Sequence, residues 1–327
     1  MQGFDSKKYI KAQTKAIKDR IKKYEKFYLE FGGKLVYDYH ASRVLPGYDP
    51  TNKIKILKTL KNRDIIYCVN AKNIQKKKVL GDFNLTHDEQ TLKDIKDLKS
   101  FGIKVNFVVI TLYKNQKLTQ FIRKLKKQRV KVIIHREIKG YPNNISLILK
   151  GYEQQPYIPT KNKLVIITGP AGGSGKMATA LIQINHERKN NIKSSFAKFE
   201  TFPIWNLKRD HPVNIAYEAA TADLNDKNKI DTYHKKAYGI TAVNYNRDIF
   251  NFKILKRIMT SSDNFSYKSP TDMGLNMAKV GIINDKICRE AAKQEIIRRY
   301  FVYYKEFKQG KETIDTLNRM KQILRKI

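Results

Sequence analysis

Residues 168–179 read TGPAGGSGKMAT and follow the apolar run LVII. Glycines let main-chain N–H groups converge without a Cβ in the way, and the start of a helix adds donors that have no partner inside it. Lys176 stands at the expected helix start, where an ammonium can reach phosphate oxygens. The spacing predicts an anion cradle made of Gly172, Gly173, Ser174, Gly175, Lys176 and Met177. Such a cradle suits a small phosphate-bearing ligand, with ATP or another nucleotide and its Mg2+ as the expected cofactor.

The run departs from the GxxxxGK[ST] pattern. Pro170 lies five residues before Gly175, with Gly169 one residue early, and Met177 cannot supply the magnesium-binding hydroxyl. Ser174 and Thr179 are hydroxyls at other spacings, and no apolar strand ending in Asp provides a second motif. The ordinary alternative is a tight strand-to-helix turn with Lys176 turned to solvent.

A second constellation occupies KFETFPIWNLKRDHPVNIAYEAATADLND, from Lys198 to Asp226. Here Glu200 and Asp223 are the candidate metal carboxylates. His211 is the candidate proton carrier, because an imidazole titrates near neutrality. Arg247, in VNYNRDI, offers a planar donor fork for a second anion contact or for a nearby acid. Ordinary capping and packing would also account for Pro212 at a helix start and for a buried Trp205. In DYHASRVLPGYDP, Asp38, His40 and Ser42 are close in sequence, but a hydrolytic triad must converge in space. A peptidase or hydrolase using His40 or His211 lacks an identified nucleophile, and HExxH is absent.

These groups need elements to hold them. At 327 residues, two domains are the default expectation, and 41% hydrophobic content supports real cores. The pattern predicts a helix over residues 6–31, ending at Gly32 and Gly33, then a loop through Pro50. DIIYCVNA, VNFVVITLY and VKVIIHREI read as strands separated by helices, which implies a parallel-sheet α/β unit. GYPNNISLILKGYEQQPYIPTKNK reads as a connection. The expected domains are therefore 1–160, an α/β unit with a leading helix, and 161–327, a P-loop-like strand–turn–helix region closed by C-terminal helices.

The formal charge of +36 invites a polyanion reading, since cations gain affinity for phosphate backbones by releasing counterions. Yet residues 196–248, the stretch richest in unusual motifs, hold eight basic and seven acidic residues. Lysine-rich helical faces explain most of the excess. Cys68 and Cys288 stand far apart, without metal-ligand or disulfide spacing. No apolar run predicts a membrane span or leader, so a soluble cytoplasmic protein is expected, its oligomeric state left open.

FGGKLVYDYHASRVLPGYDP, GSGKMAT, AKFETFPIWNL, HPVNIAYEAATADLND, VNYNRD, YKSPTDMG and KQEIIRRY together resemble a widespread bacterial family known as a domain of unknown function. The resemblance runs in order from Gly3 to about Tyr300. It implies an α/β protein with several subdomains and no established reaction or catalytic residues. Some relatives carry an ATP-dependent peptidase label that these motifs do not support. Relatives continue beyond the position of Ile327, so the chain is expected to lack their C-terminal portion or to be a shortened member. The leading functional expectation is a nucleotide- or phosphate-dependent enzyme acting mainly by electrostatic stabilisation. The alternative is a non-catalytic binder of RNA or another polyanion through a lysine-rich surface.

Overall fold

Short runs rich in Val, Ile and Phe, each followed by a helical stretch, assemble side by side as one parallel sheet. The computed structural model of the chain describes residues 2–141, 143–259 and 266–327. The chain begins with α1 (Ser6–Ile21), β1 (Lys26–Phe31), α2 (Tyr39–Val44), α3 (Asn52–Thr59), β2 (Arg63–Asn70) and α4 (Ala71–Gln75). A small hairpin, β3 (Val79–Leu80) and β4 (Leu85–Thr86), precedes α5 (His87–Ser100). The alternation continues with β5 (Phe107–Tyr113), α6 (Thr119–Lys127), β6 (Lys131–Arg136), α7 (Ile145–Glu153), β7 (Leu164–Thr168), α8 (Lys176–Lys189) and β8 (Ser194–Phe199).

Beyond it lie α9 (Pro212–Ala220), the ribbon strand β9 (Asn228–Ile230), α10 (Thr232–Tyr238), its partner β10 (Val243–Tyr245) and α11 (Asn246–Met259). Three short pieces follow: α12 (Pro270–Met273), β11 (Gly274–Leu275) and α13 (Ala278–Gly281). Helices α14 (Asp285–Lys308) and α15 (Ile314–Leu324) close the fold.

The main sheet has the order β11-β8-β1-β7-β2-β5-β6, with every pairing parallel. All residues of β1, β7 and β8 are buried, as a sheet covered on both faces requires. Side chains alternate between two cores. Tyr28, Ile66, Cys68, Ile167 and Phe196 pack with residues of α7, α8 and α11. Leu29, Phe31, Val69, Ile110 and Ala197 pack with residues of α1, α3, α5, α6, α9 and α14.

From β7 the chain passes into α8 on the first of these faces. From β1 and β2, the strands on either side of β7, it passes into α3 and α5 on the other. Connections that diverge to opposite faces leave a crevice at the carboxyl end of the strand between them. The glycine-rich run lies there, directly after Thr168.

Three expectations need correction. The helix over residues 6–31 ends at Ile21, and residues 26–31 form β1, an interior strand of the sheet. A six-residue buried run, KFYLEF, carries no period that separates helix from strand, so only its sheet partners decide. The division near residue 160 does not separate two sheets: β7 pairs with both β1 and β2, so segments 1–160 and 161–327 interleave. The connection after β6 contains α7, capped by Asn144, while its Pro142 lies outside the described residues. A shorter departure is α2, which Asp38 caps inside the expected loop.

Candidate functional site: a glycine-rich cleft at the carboxyl edge of the sheet

A cleft of ≈ 610 Å³ opens over the carboxyl ends of the strands, and its floor is the loop from Ala171 to Gly175 with the first turn of α8. Gly173 and Gly175 adopt φ of +70° and +81°, left-handed values that side-chain-bearing residues rarely take. Gly175 is further constrained by contact: a Cβ there would lie 2.8–2.9 Å from the Thr111 side chain.

The loop's carbonyls are tied back into the protein. Thr111 Oγ1 donates to Ser174 O at 2.8 Å and Asn70 Nδ2 to Gly173 O at 3.1 Å. Ser174 Oγ donates to Ala171 O at 2.6 Å, and Lys176 Nζ donates to the same oxygen at 3.0 Å. The amides differ. Among the described residues, those of Gly172, Gly173, Gly175, Lys176 and Met177 donate to no protein acceptor. Lys176 is 6% exposed, so the alternative of a solvated lysine does not hold. Burial pulls its ammonium pKa down, and Glu30 only partly offsets this. The Thr179 hydroxyl lies beside Cys68 Sγ at 3.4 Å.

One wall of the cleft is a buried charge cluster. Glu30, at the end of β1, is in register with Lys198 on β8. Lys198 Nζ lies 2.8 Å from Glu200 Oε1 and 2.8 and 3.0 Å from the two oxygens of Asp248, with the Tyr245 ring 4.3 Å away. Burial opposes the Lys198 charge, but Asp248, Glu200 and Glu30 outweigh it and hold the ammonium above its usual pKa. The Glu200 pKa is raised as well, which for a carboxyl group favours the neutral form. Burial drives its carboxyl pKa up, Lys198 resists, and Asp248 pushes further in the same direction as burial, to about 8.

Of the expected site residues, Gly172 to Met177, Glu200, Asp223 and Arg247 all line this cleft. Arg247 directs its fork at the buried Asp226, through Nε at 2.5 Å and an Nη at 2.7 Å. Glu200 and Asp223, the expected metal carboxylates, are each engaged by a different lysine. Glu200 is held by Lys198, whereas Asp223 accepts from Lys78 at 2.7 Å and Tyr303 at 3.1 Å. Among the described residues no group of three or more His, Cys, Asp or Glu side chains is placed to hold a metal.

His211 is not among the groups that line the cleft. It caps α9, its Nδ1 accepting from the Val213 amide at 3.2 Å, while Nε2 meets Asp285 of α14 at 2.9 Å. Burial lowers its pKa despite Asp285. There it fastens two helices, so the expected proton carrier stands apart from the groups that line the cleft.

Sequence reasoning missed Glu30, Asn70, Thr111 and Asp248. Asn70 and Thr111 close or nearly close predicted strands of a parallel sheet, where ligand contacts collect, so strand ends were the available signal. Glu30 was hidden by the misread helix. Asp248 carries no signal until α11 is packed against β8.

The sequence model of the family described as "Domain of unknown function DUF1846, N-terminal" matches residues 2–327. A "UPF0371 protein" of Clostridium tetani (strain Massachusetts / E88) is 50% identical over 331 residues, covering 99% of this chain and 66% of its own length. One from Clostridium botulinum (strain Kyoto / Type A2) is 48% identical over 328 residues, covering 98% of this chain and 65% of the relative. Another, from the Alaska E43 / Type E3 strain, is 48% identical over 332 residues, at 99% and 66%. The chain thus spans slightly less than two thirds of the length of these relatives. No helix among the described residues is long and apolar enough to cross a membrane.

Proposed function

This chain belongs to the DUF1846 family, and we propose that its cleft binds a small molecule through a phosphate group and performs phosphoryl-transfer or nucleotide-dependent chemistry beside it. The observation that carries this reading is the inversion of polarity in the loop. Its carbonyls are engaged by Thr111, Asn70, Ser174 and Lys176, while the amides of Gly172, Gly173, Gly175, Lys176 and Met177 stand without protein acceptors, among the described residues, at the start of α8. Donors at a helix start carry partial positive charge, and a buried ammonium beside them favours an oxyanion. Ala171 O is a neutral partner for Lys176. A phosphate oxygen would be a stronger one, and binding it would restore the ammonium pKa that burial depresses.

The cleft volume suits a nucleotide-sized ligand. Lys176 and Lys198 would stabilise charge developing on a phosphoryl group, with no metal step assigned to protein residues. Glu200, rather than His211, is the group poised to carry a proton near neutral pH, because it lines the cleft and burial raises its pKa to about 8. The test is titration of ATP and GTP with Mg2+, and of inorganic phosphate, into the wild-type chain and Lys176→Ala. The expected result is at least tenfold weaker binding by the variant for every phosphate species. Equal affinity in both proteins would remove Lys176 and the cradle from the reading.

A further inference from the structure

The same cleft holds buried polar atoms that the phosphate cradle does not use. Glu30 Oε2, His40 Nε2 and both ring nitrogens of His87 have no hydrogen-bond partner, and all three side chains line the cavity. Glu30 is 5% and His87 1% exposed. Leaving such atoms unsatisfied is costly, so several along one cavity mark the complement of something polar.

Their chemistry narrows the choice. An ionised carboxyl group only accepts hydrogen bonds, whereas a neutral imidazole offers one donor and one acceptor. Burial lowers the pKa of both histidines, with Lys78 adding to the effect at His87, which favours their neutral forms. A second anion would meet the Glu30 carboxyl group, and an apolar group would leave every one of these atoms unpaired. Hydroxyl groups donate to a carboxyl oxygen and to an unprotonated imidazole nitrogen, as His40 Nε2 is when Nδ1–H is given to Glu295, and they accept from an imidazole N–H, so they satisfy the whole set. Position agrees. Glu30 pairs with Ile167 of β7, the strand that delivers the glycine-rich loop. Adjacent strands lie about 4.8 Å apart, so a group esterified to a phosphate in the cradle would sit against Glu30.

We propose that the ligand of this cleft is a phosphorylated sugar, its hydroxyl groups taken by Glu30 beside the cradle and by His40 and His87 further along the cavity. This rests on the phosphate cradle and specifies what the phosphate is joined to. A free sugar phosphate and the ribose phosphate of a nucleotide share this chemistry.

The experiment is calorimetric titration of inorganic phosphate, 2-deoxyribose 5-phosphate, ribose 5-phosphate and AMP into the wild-type chain, Lys176→Ala and Glu30→Gln. Wild-type affinity is expected to rise along the first three, with ribose 5-phosphate at least tenfold tighter than inorganic phosphate. Glu30→Gln is expected to lose most of that margin while keeping or tightening its hold on phosphate alone. AMP binding tenfold tighter than ribose 5-phosphate would make a nucleotide the source of the sugar, and equal or weaker AMP binding a free sugar phosphate. Should inorganic phosphate bind in a Lys176-dependent way with the sugar phosphates no tighter, the sugar assignment falls and the cradle stands. Should no phosphate species bind, both fall. The wild-type series decides the matter even if Glu30→Gln fails to fold.

Discussion

Lys198 on β8 and Asp248 in the first turn of α11 form a buried ion pair, with Nζ 2.8 and 3.0 Å from the two carboxylate oxygens. The pair anchors the start of α11 against the carboxyl edge of the sheet and makes Glu200 compete with Asp248 for a single ammonium. Removing one member of such a pair strands a buried charge, which typically costs about 3–5 kcal/mol. Because Glu200 still pairs with Lys198, Asp248→Ala is expected to lower unfolding free energy in urea denaturation by less than that amount. It should also lower the Glu200 pKa, since Lys198 then belongs to Glu200 alone. Carboxyl titration followed by NMR would show a fall, and an unchanged Glu200 pKa would contradict the shared-ammonium account.

Glu200 gives stability a pH dependence of definite sign. Its folded pKa of about 8 lies above the ordinary 4.5, so between those values the native state holds more proton than the unfolded chain. Its contribution to stability then falls as pH rises through that window, with a slope of up to about 1.4 kcal/mol per pH unit. Unfolding free energies at pH 5, 6, 7 and 8 should decline less steeply in Glu200→Gln than in the wild-type chain. A parallel pair of profiles would mean that Glu200 is ionised throughout.

His87 and His135 act in the opposite sense. Burial drives both to about 4 from 6.5, aided at His87 by Lys78 and opposed at His135 by the Pro156 carbonyl. With folded values below unfolded ones, the stability they contribute is present above about pH 6.5 and lost as pH falls towards 4. Each shift corresponds to about 3 kcal/mol at full loss. His87→Asn and His135→Asn should each flatten the acid limb between pH 6.5 and 4, without altering the Glu200 slope from pH 7 to 8. Acid limbs as steep as the wild type's in both variants would refute neutral burial.

Gly175 and Gly102 form a controlled comparison for the loop. Both have positive φ, +81° and +75°, but a Cβ at Gly175 meets Thr111 whereas one at Gly102 meets nothing within 4 Å. Gly102→Ala is expected to cost about 1 kcal/mol from backbone conformation alone. Gly175→Ala should cost about 1–3 kcal/mol more, as Thr111 is pushed from its bond to Ser174. Denaturant melts of the two variants measure the difference, and equal losses would show that Thr111 yields freely.

Much of the site was readable before folding, and the reasons are local. GPAGGSGK after LVIIT is a strand end, two left-handed positions and a helix start, all set by residues in contact along the chain. The His211-Pro212 helix start was legible for the same reason, although its place away from the cleft was not. A capping histidine and a proton-carrying histidine look alike until Asp285 arrives from a helix more than seventy residues away. Glu30 illustrates the converse failure. KFYLEF has no distinguishing period, so its identity as an interior strand depends on β7 and β8, which lie far downstream.

By itself, the order of residues determined where the glycine-rich bend falls, that it joins a strand to a helix, and that parallel α/β packing surrounds it. These follow from backbone sterics and short-range periodicity. Only the tertiary structure decided that both halves of the chain share one sheet, that Lys176 is buried, and that Glu30, Lys198, Glu200 and Asp248 converge. Those outcomes depend on strand pairing and desolvation between segments distant in sequence, where the free energy of each group is set by neighbours that the local chain does not contain.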